Sequence, residues 1–354
     1  IEGLRMRTVC INCRPLVDNL TGIERCIYEY IRRFNQLAPL RGIDIELLYP
    51  EGMEIHLPED TSNLRKVQIK RKGNNMDYST LRKYVKSKDA LYVSMHGGAC
   101  VMSPALVCIN DLRPILFKNY DPFMTRLKYR VNFCLAKKIS SKIVTISQTS
   151  RNEIKETLKI KKEDIEVIYP GWEHIRNIPS DDSIWSRLPE VEKGNYFYSL
   201  SSRAPHKNFK WVEEVARRNP TVRFLIGGKR WNNGDDNEKK LSNVHYLGHV
   251  TDSENVELMK NCRAFLHPSK YEGFGMTPLE AYACGAEICV SNASCLPEVF
   301  GDCAHYFDPE NYEIDLQELL SQSCKKTTDI LKKYSWDKSA DQWMKLFEEY
   351  AKCR

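Results

Sequence analysis

The chain has 354 residues, 42% of them apolar and 28% charged, with a formal net charge of +6. That length exceeds one small core and divides naturally into two domains, and the composition excludes disordered and fibrous classes. No uninterrupted apolar run reaches the roughly 18–20 residues of a membrane-spanning helix, and the start lacks the apolar core of a secretory signal.

Met6 is the expected native start, with residues 1–5 an addition ahead of it. Thirteen cysteines without an export signal read as reduced thiols of a cytosolic protein. Cys10 and Cys13 have metal-like spacing, but they sit in a short apolar run with no complementary Cys or His pair. They read as buried strand residues rather than a zinc or redox site.

Short apolar runs alternate with amphipathic stretches, the pattern of a parallel sheet covered by helices. In the first half, residues 8–12, 45–49, 90–94, 105–109 and 142–146 are predicted strands. A helix over 23–37 follows from apolar residues at Ile23, Cys26, Ile27, Tyr30, Ile31 and Phe34. A second helix spans 147–158, with Ser147 or Thr149 as its cap. The later strands are predicted at 195–200, 222–226, 244–247, 263–267 and 287–291, and the helices at 209–217, 253–260 and 277–284. Pro170-Gly171 interrupts both periodicities and suits a hinge. The fold class is α/β: two successive domains, with a cleft between them as the expected ligand site.

Basic residues cluster over 66–72 and again over 118–142, where Lys128, Arg130, Lys137 and Lys138 interleave with Tyr129, Phe133 and Leu135. A solvated helix face is the expected reading, and a docking surface for anionic lipid is the competing one. No nucleic-acid-binding module is present in the sequence pattern.

The segment 267–285 carries the chemistry. A strand ends at His267, a Gly-bearing turn follows, and a helix begins near Met276 or Thr277 with Pro278 in its first turn. Unpaired N–H groups at such a helix start suit a diphosphate, and Gly273 and Gly275 permit close backbone approach. Glu272 precedes the helix and Glu280 lies about one turn inside it. Carboxylates match paired hydroxyls of a sugar or ribose, whereas Glu280 alone would read as a helix-surface residue.

Glu272-Gly-Phe-Gly-Met-Thr-Pro-Leu-Glu280-Ala281 resembles the signature of the retaining, family-four glycosyltransferases of GT-B fold. Segments 283–285 and 291–298 are similar to the stretch that follows it. The resemblance implies two Rossmann-like domains facing across a cleft: 6–170 on the acceptor side, completed by a terminal helix in 335–354, and 171–334 on the donor side. It implies that Glu272 contacts the donor sugar, Glu280 the ribose, and the backbone of Gly273, Phe274, Gly275, Met276 and Thr277 the sugar and diphosphate. In the segment 200–208 it sets Lys207 and Arg203 against the diphosphate, with Asn208 beside them, although Arg203 stands one place later than the usual Arg. Lys207 alone would read as a helix-start surface residue. Gly22, between the first strand and helix, resembles the glycine that lets the first domain close on the donor phosphate.

The block 107–114 is similar to a family segment that has His before Asp111; here that position is Asn110. His96 is a candidate acceptor-side group together with Asp111, with a structural histidine as the alternative. The implied activity is hexosyl transfer, with retention, from a nucleoside-diphosphate sugar to a glycan or lipid-linked hydroxyl, without metal or other cofactor. GDP-mannose is the first expected donor and a UDP-hexose the second, because Pro-His-Lys-Asn resembles mannosyl- and rhamnosyltransferases of bacterial surface polysaccharides. The expected location is the cytoplasm, peripheral to the inner membrane face. A nucleotide-sugar epimerase and a non-catalytic nucleotide-sugar-binding subunit are the alternatives. A phosphorylase lacks a marked pyridoxal-phosphate lysine, and a dehydrogenase lacks a G-x-G-x-x-G after the first strand.

Overall fold

A computed structural model describes residues 7–18, 20–97, 102–200, 202, 204–228 and 241–352. The chain forms two compact units, one of Ile1–Gly171 with Ser335–Arg354 and the other of Trp172–Tyr334.

The first unit runs β1 (Val9–Asn12), α1 (Gly22–Arg41), β2 (Ile45–Pro50), β3 (Arg65–Ile69), a ribbon of β4 (Arg71–Lys72) and β5 (Asn75–Met76), then α2 (Tyr78–Ser87). It continues through β6 (Leu91–Ser94), β7 (Ala105–Cys108), α3 (Arg113–Leu116), α4 (Phe123–Ile139), β8 (Lys142–Thr145), α5 (Gln148–Leu158) and β9 (Ile165–Val167). Among the described residues these strands make a parallel sheet in the order β3-β2-β1-β6-β7-β8-β9. Every residue of β1 and β6 is buried. Central parallel strands are covered on both faces, which is why these read as continuous apolar runs. Cys10 is buried within β1 and Cys13 just after it.

Helix α1 buries Ile27, Tyr30, Ile31, Phe34 and Ala38, one apolar stripe, and stops at Gly42 in the left-handed conformation (φ 62°). Helix α5 begins where Ser147 accepts a hydrogen bond from the Ser150 N–H.

The basic segment 66–72 departs from the expected helix face. It forms the edge strand β3 and the ribbon strand β4. Along β3, Lys66 is exposed, Val67 half-buried and Ile69 buried, a pattern closer to strand alternation than to a helical stripe. Lysine on an edge strand also discourages pairing with another chain.

The second unit runs β10 (Tyr196–Leu200), α6 (Phe209–Arg218), β11 (Arg223–Gly227), β12 (Val244–Gly248), α7 (Asp252–Asn261), β13 (Ala264–His267) and α8 (Met276–Ala283). It closes with β14 (Ile288–Ser291), α9 (Leu296–Phe300), β15 (His305–Phe307), α10 (Leu316–Ser321) and α11 (Asp329–Lys333). Its described strands form a parallel sheet in the order β12-β11-β10-β13-β14-β15. Phe197, Trp211, Phe224 and Leu266 lie in the core on one face, with Trp211 stacked on Phe307 at 4.0 Å.

The last helix, α12 (Trp336–Ala351), belongs to the first unit and packs on α1. Trp336 meets Tyr30 edge-on at 5.4 Å, and Phe347 meets Phe34 at 5.2 Å. Each such aromatic pair contributes about 0.5–1.5 kcal/mol beyond area burial. Arg41 ties the two helices at the surface through Asp341 and Glu348.

Candidate active site

Each sheet reverses its strand order once, between β1 and β6 in the first unit and between β10 and β13 in the second. Loops leaving the carboxyl ends of two such strands diverge, and the crevice they leave is where open α/β sheets bind ligands. In the first unit, Gly22 follows β1 and His96 follows β6, while Asp111 follows the neighbouring β7. In the second, Lys207 and Asn208 follow β10, and Glu272–Thr277 follow β13.

The loop between β13 and α8 is fixed from several sides. Tyr271, Gly273, Phe274 and Gly275 are buried, and Phe274 packs edge-on against Tyr334 at 5.1 Å. Ser294 Oγ and Cys295 Sγ both donate to the Glu272 carbonyl, at 2.7 and 3.2 Å. The Lys270 N–H donates to the His206 carbonyl at 2.8 Å, which ties this loop to the one after β10. Gly275 has φ 93°, and a Cβ there would lie 2.8 Å from Leu296 Cδ2. Only glycine suits that position on both counts. Helix α8 then opens without a side-chain cap and without an acidic residue in its first turn, with Met276 and Thr277 half-buried. Its amino end therefore carries the positive pole of the helix uncompensated by its own first turn.

Glu272 is the centre of the cluster, its side chain only 11% exposed. Lys207 Nζ lies 2.8 and 2.9 Å from its two carboxylate oxygens, and His267 Nε2 lies 2.8 Å from Oε1. Burial alone would raise the Glu272 pKa. The Lys207 charge and the hydrogen bonds from His267 and Lys207 outweigh it and hold the carboxyl well below its ordinary range. An ionised carboxylate only accepts, so His267 Nε2 carries the proton it donates.

Asn208 adopts the left-handed conformation at φ 56°, which asparagine tolerates better than most residues. Its Nδ2 donates to the Pro268 and Pro309 carbonyls at 3.1 and 2.9 Å, so the amide braces the loop that carries Glu272. Glu280 accepts from His174 Nε2 at 2.9 Å, with both side chains largely buried. Arg203 lies outside the described residues.

In the first unit, burial, aided by the charges of Arg14 and Lys128, pushes the His96 pKa down to about 4. The ring is therefore neutral at pH 7, with one nitrogen able to donate and the other to accept a hydrogen bond. Gly22 is exposed, has an ordinary negative φ, and a Cβ there would meet nothing within 4 Å. Asp111 Oδ1 accepts from the Arg113 N–H at 2.9 Å and so opens α3. Asn110 accepts from Cys108 Sγ at 3.0 Å.

Two residues of the second-unit cluster escaped the sequence reading. His267 marked only the end of a strand, although its place five residues before Glu272 is compatible with contact across the loop. His174 is 106 residues from Glu280 and lies in a short turn, Glu173–Asn177, with no periodic signal to single it out.

Residues 181–335 match the sequence model of the family described as glycosyl transferases group 1. The chain is 23% identical over 318 residues to the O-antigen chain mannosyltransferase RfbU of Salmonella typhimurium, covering 85% of this chain and 87% of that one. It is 33% identical over 114 residues to O-antigen chain mannosyltransferase B of Escherichia coli, about 30% of each. Among solved structures, HepE of Anabaena in complex with UDP and glucose superposes with a TM-score of 0.69 at 19% identity, over 97% of this chain and all of that one. WaaG, a glycosyltransferase involved in lipopolysaccharide biosynthesis, does so at 0.63 and 16%, over 97% of each. At these identities the likeness shows the fold, two Rossmann-like domains of GT-B architecture.

Proposed function

Since this chain belongs to the group 1 glycosyltransferases, we propose that it moves a hexosyl group from a nucleoside-diphosphate sugar to a hydroxyl of a glycan or lipid-linked acceptor, with retention. The observation that carries the proposal is the Lys207–Glu272–His267 cluster beside the uncapped start of α8. The second unit supplies the donor site. Lys207 and the amino end of α8 offset the negative charge that grows on the departing diphosphate, with Arg203 as a second cation. Their positive charge serves the leaving group without a metal ion, so chelation with EDTA should leave the rate unchanged. Glu272, kept ionised, accepts from hydroxyls of the transferred sugar, and Glu280 accepts from the ribose. The backbone from Gly273 to Thr277 lies against sugar and diphosphate, and Gly22 leaves room for a phosphate. His96 and Asp111 of the first unit face the acceptor.

The two mannosyltransferase relatives favour GDP-mannose as donor and a surface polysaccharide as product, with a UDP-hexose as the second choice. The cytoplasm is the expected compartment, where nucleotide sugars are made.

The test is a thermal-shift screen of the protein against GDP-, UDP-, dTDP- and ADP-sugars, followed by transfer assays with the donor that stabilises it. The expected result is one stabilising nucleotide, a shift lost in Glu280→Ala, and product only when acceptor is present. Donor turnover without acceptor would favour an epimerase. Binding without any transfer to a panel of glycan and lipid-linked acceptors would favour a binding subunit. No shift with any nucleotide sugar would overturn the donor-site reading.

A further inference from the structure

Residues 322–328 join α10 to α11 without helix or strand and form a strap beside the turn Gly301–Cys303 that follows α9. Little holds it. The Lys325 N–H donates to the Asp302 carbonyl at 2.8 Å. The Tyr282 hydroxyl accepts from the Thr327 N–H at 3.0 Å and donates to the Thr327 carbonyl at 2.8 Å. The ion pairs Lys325–Asp302 and Lys326–Glu287 lie at the surface and add little. A segment with so few buried contacts opens readily.

The strap carries Cys324 and the turn carries Cys303. The Lys325–Asp302 backbone bond joins the peptide unit after Cys324 to the one before Cys303, which keeps their Cα atoms within about 8 Å. A disulfide spans roughly 4.4–6.8 Å between Cα atoms, which a loosely held strap reaches by a small shift. Other observations set the two sulfurs together. Both residues line one cavity of about 370 Å³ beside Tyr282. A charge on Cys303 acts on Cys324, and both act on the hydroxyls of Tyr282 and Tyr306. Cys303 is buried and Cys324 half-buried, so one thiol meets solvent and the other lies behind it. Cys289 also feels Cys324, but it is fully buried within β14, where a crosslink would pull on the sheet.

We propose that Cys303 and Cys324 are a modification site, a dithiol that a small disulfide oxidises to an intrachain disulfide, clamping the strap to the turn. The Cys324 thiolate attacks one sulfur of the reagent and expels a first thiolate. Cys303 then attacks the Cys324 sulfur of the mixed disulfide and expels the second. The two cysteine protons end on the two expelled thiols, and the reagent takes up the two electrons. Tyr334, ten residues after Cys324, packs on Phe274 of the loop after β13, so a clamped strap steadies a support of that loop. The bearing of this last consequence on donor binding rests on the transferase reading; the dithiol does not.

The experiment treats the full chain with oxidised glutathione at pH 8.5, because burial and the Cys303 charge raise the Cys324 pKa and slow exchange at neutral pH. Remaining thiols are blocked and linked peptides identified by mass spectrometry, with Cys303→Ser and Cys324→Ser in parallel and no nucleotide sugar present. The expected result is a Cys303–Cys324 linkage in the parent, reversed by dithiothreitol. Glutathione retained on Cys324 of the parent, Cys324 linked to Cys289 instead, or no reaction at either thiol would overturn the proposal. Tryptic cleavage after the exposed Lys325 and Lys326 reads the opening of the strap. It should slow roughly tenfold in the oxidised parent but not in Cys324→Ser treated alike. Equal cleavage of oxidised and reduced parent would overturn the clamp. Neither readout involves transfer, so the dithiol can fail while the donor site stands, and the reverse.

Discussion

The Lys207 ammonium grips both carboxylate oxygens of Glu272, at 2.8 and 2.9 Å, from a different strand's loop 65 residues away. Neither residue would be cheap to bury alone. Lys207→Ala leaves a largely buried carboxylate with His267 as its remaining charge-stabilising partner and removes a cation from the proposed leaving-group site. Transfer should fall roughly 100- to 1,000-fold, and the melting temperature should fall with it. Glu272→Gln should cost comparable activity, and the double variant should lose much less than the sum, because the two act as a unit. Additive losses in steady-state rate would show that they do not.

The same pair sets an acid limb. Glu272 has a folded pKa well below its unfolded value of about 4.3, so its contribution to stability is fully present above that pH. It is lost as pH falls from there through the folded value. Chemical denaturation of Glu272→Gln should therefore show a shallower stability decline below about pH 4.3 than the parent.

His174 holds Glu280 at 2.9 Å. If that carboxylate takes the ribose hydroxyls, His174 is a positioning residue and its loss should appear in donor binding. His174→Ala should raise the donor KM about tenfold with kcat changed less than about twofold, and His174→Gln should recover part of the difference. A fall in kcat at unchanged KM would assign the histidine a different role.

Two glycines make opposite predictions. Gly275→Ala must tolerate φ 93° and a 2.8 Å approach to Leu296, so about 1–3 kcal/mol of stability should be lost together with activity. Gly22→Ala meets no atom within 4 Å and stands at a helix start, where alanine should be neutral or stabilising by up to about 1 kcal/mol. If a donor phosphate approaches Gly22, the stable variant should nevertheless lose transfer. Full activity in Gly22→Ala would remove that glycine from the donor site.

His96 gives a second pH signature. Its folded pKa of about 4 lies below the unfolded 6.5, so the unfolded state takes up a proton first as pH falls. Stability contributed by the neutral ring is complete above pH 6.5 and declines between 6.5 and 4, by on the order of 1–3 kcal/mol. His96→Gln should flatten that part of the profile in equilibrium denaturation; an unchanged slope would mean the ring titrates normally.

What could be read from the chain follows from which signals are local. Strands such as β1 and β6 were legible because burial on both faces writes an apolar run, and α1 because its stripe recurs at helical spacing. β3 was not, because an edge strand covered on one side carries Arg65, Lys66 and Gln68 among few apolar residues. β9 and β15, three residues each, are too short for any period to register. At the site, Glu272 and Glu280 stood out because their spacing is confined to one loop and helix. The Lys207–Glu272 and His174–Glu280 contacts join distant segments, and only the β10–β13 adjacency and the turn at Glu173–Asn177 create them.

Helix α12 imposes an order of events during synthesis. Tyr30 and Phe34 are made early, but Trp336 and Phe347, which cover them, leave the ribosome about three hundred residues later, some 15–60 s at ordinary elongation rates. The second unit is continuous in sequence and can close while the first still awaits its final helix. For that interval the early-made half carries an open aromatic face, making it the natural client of a chaperone and the half most exposed to misfolding when translation stalls.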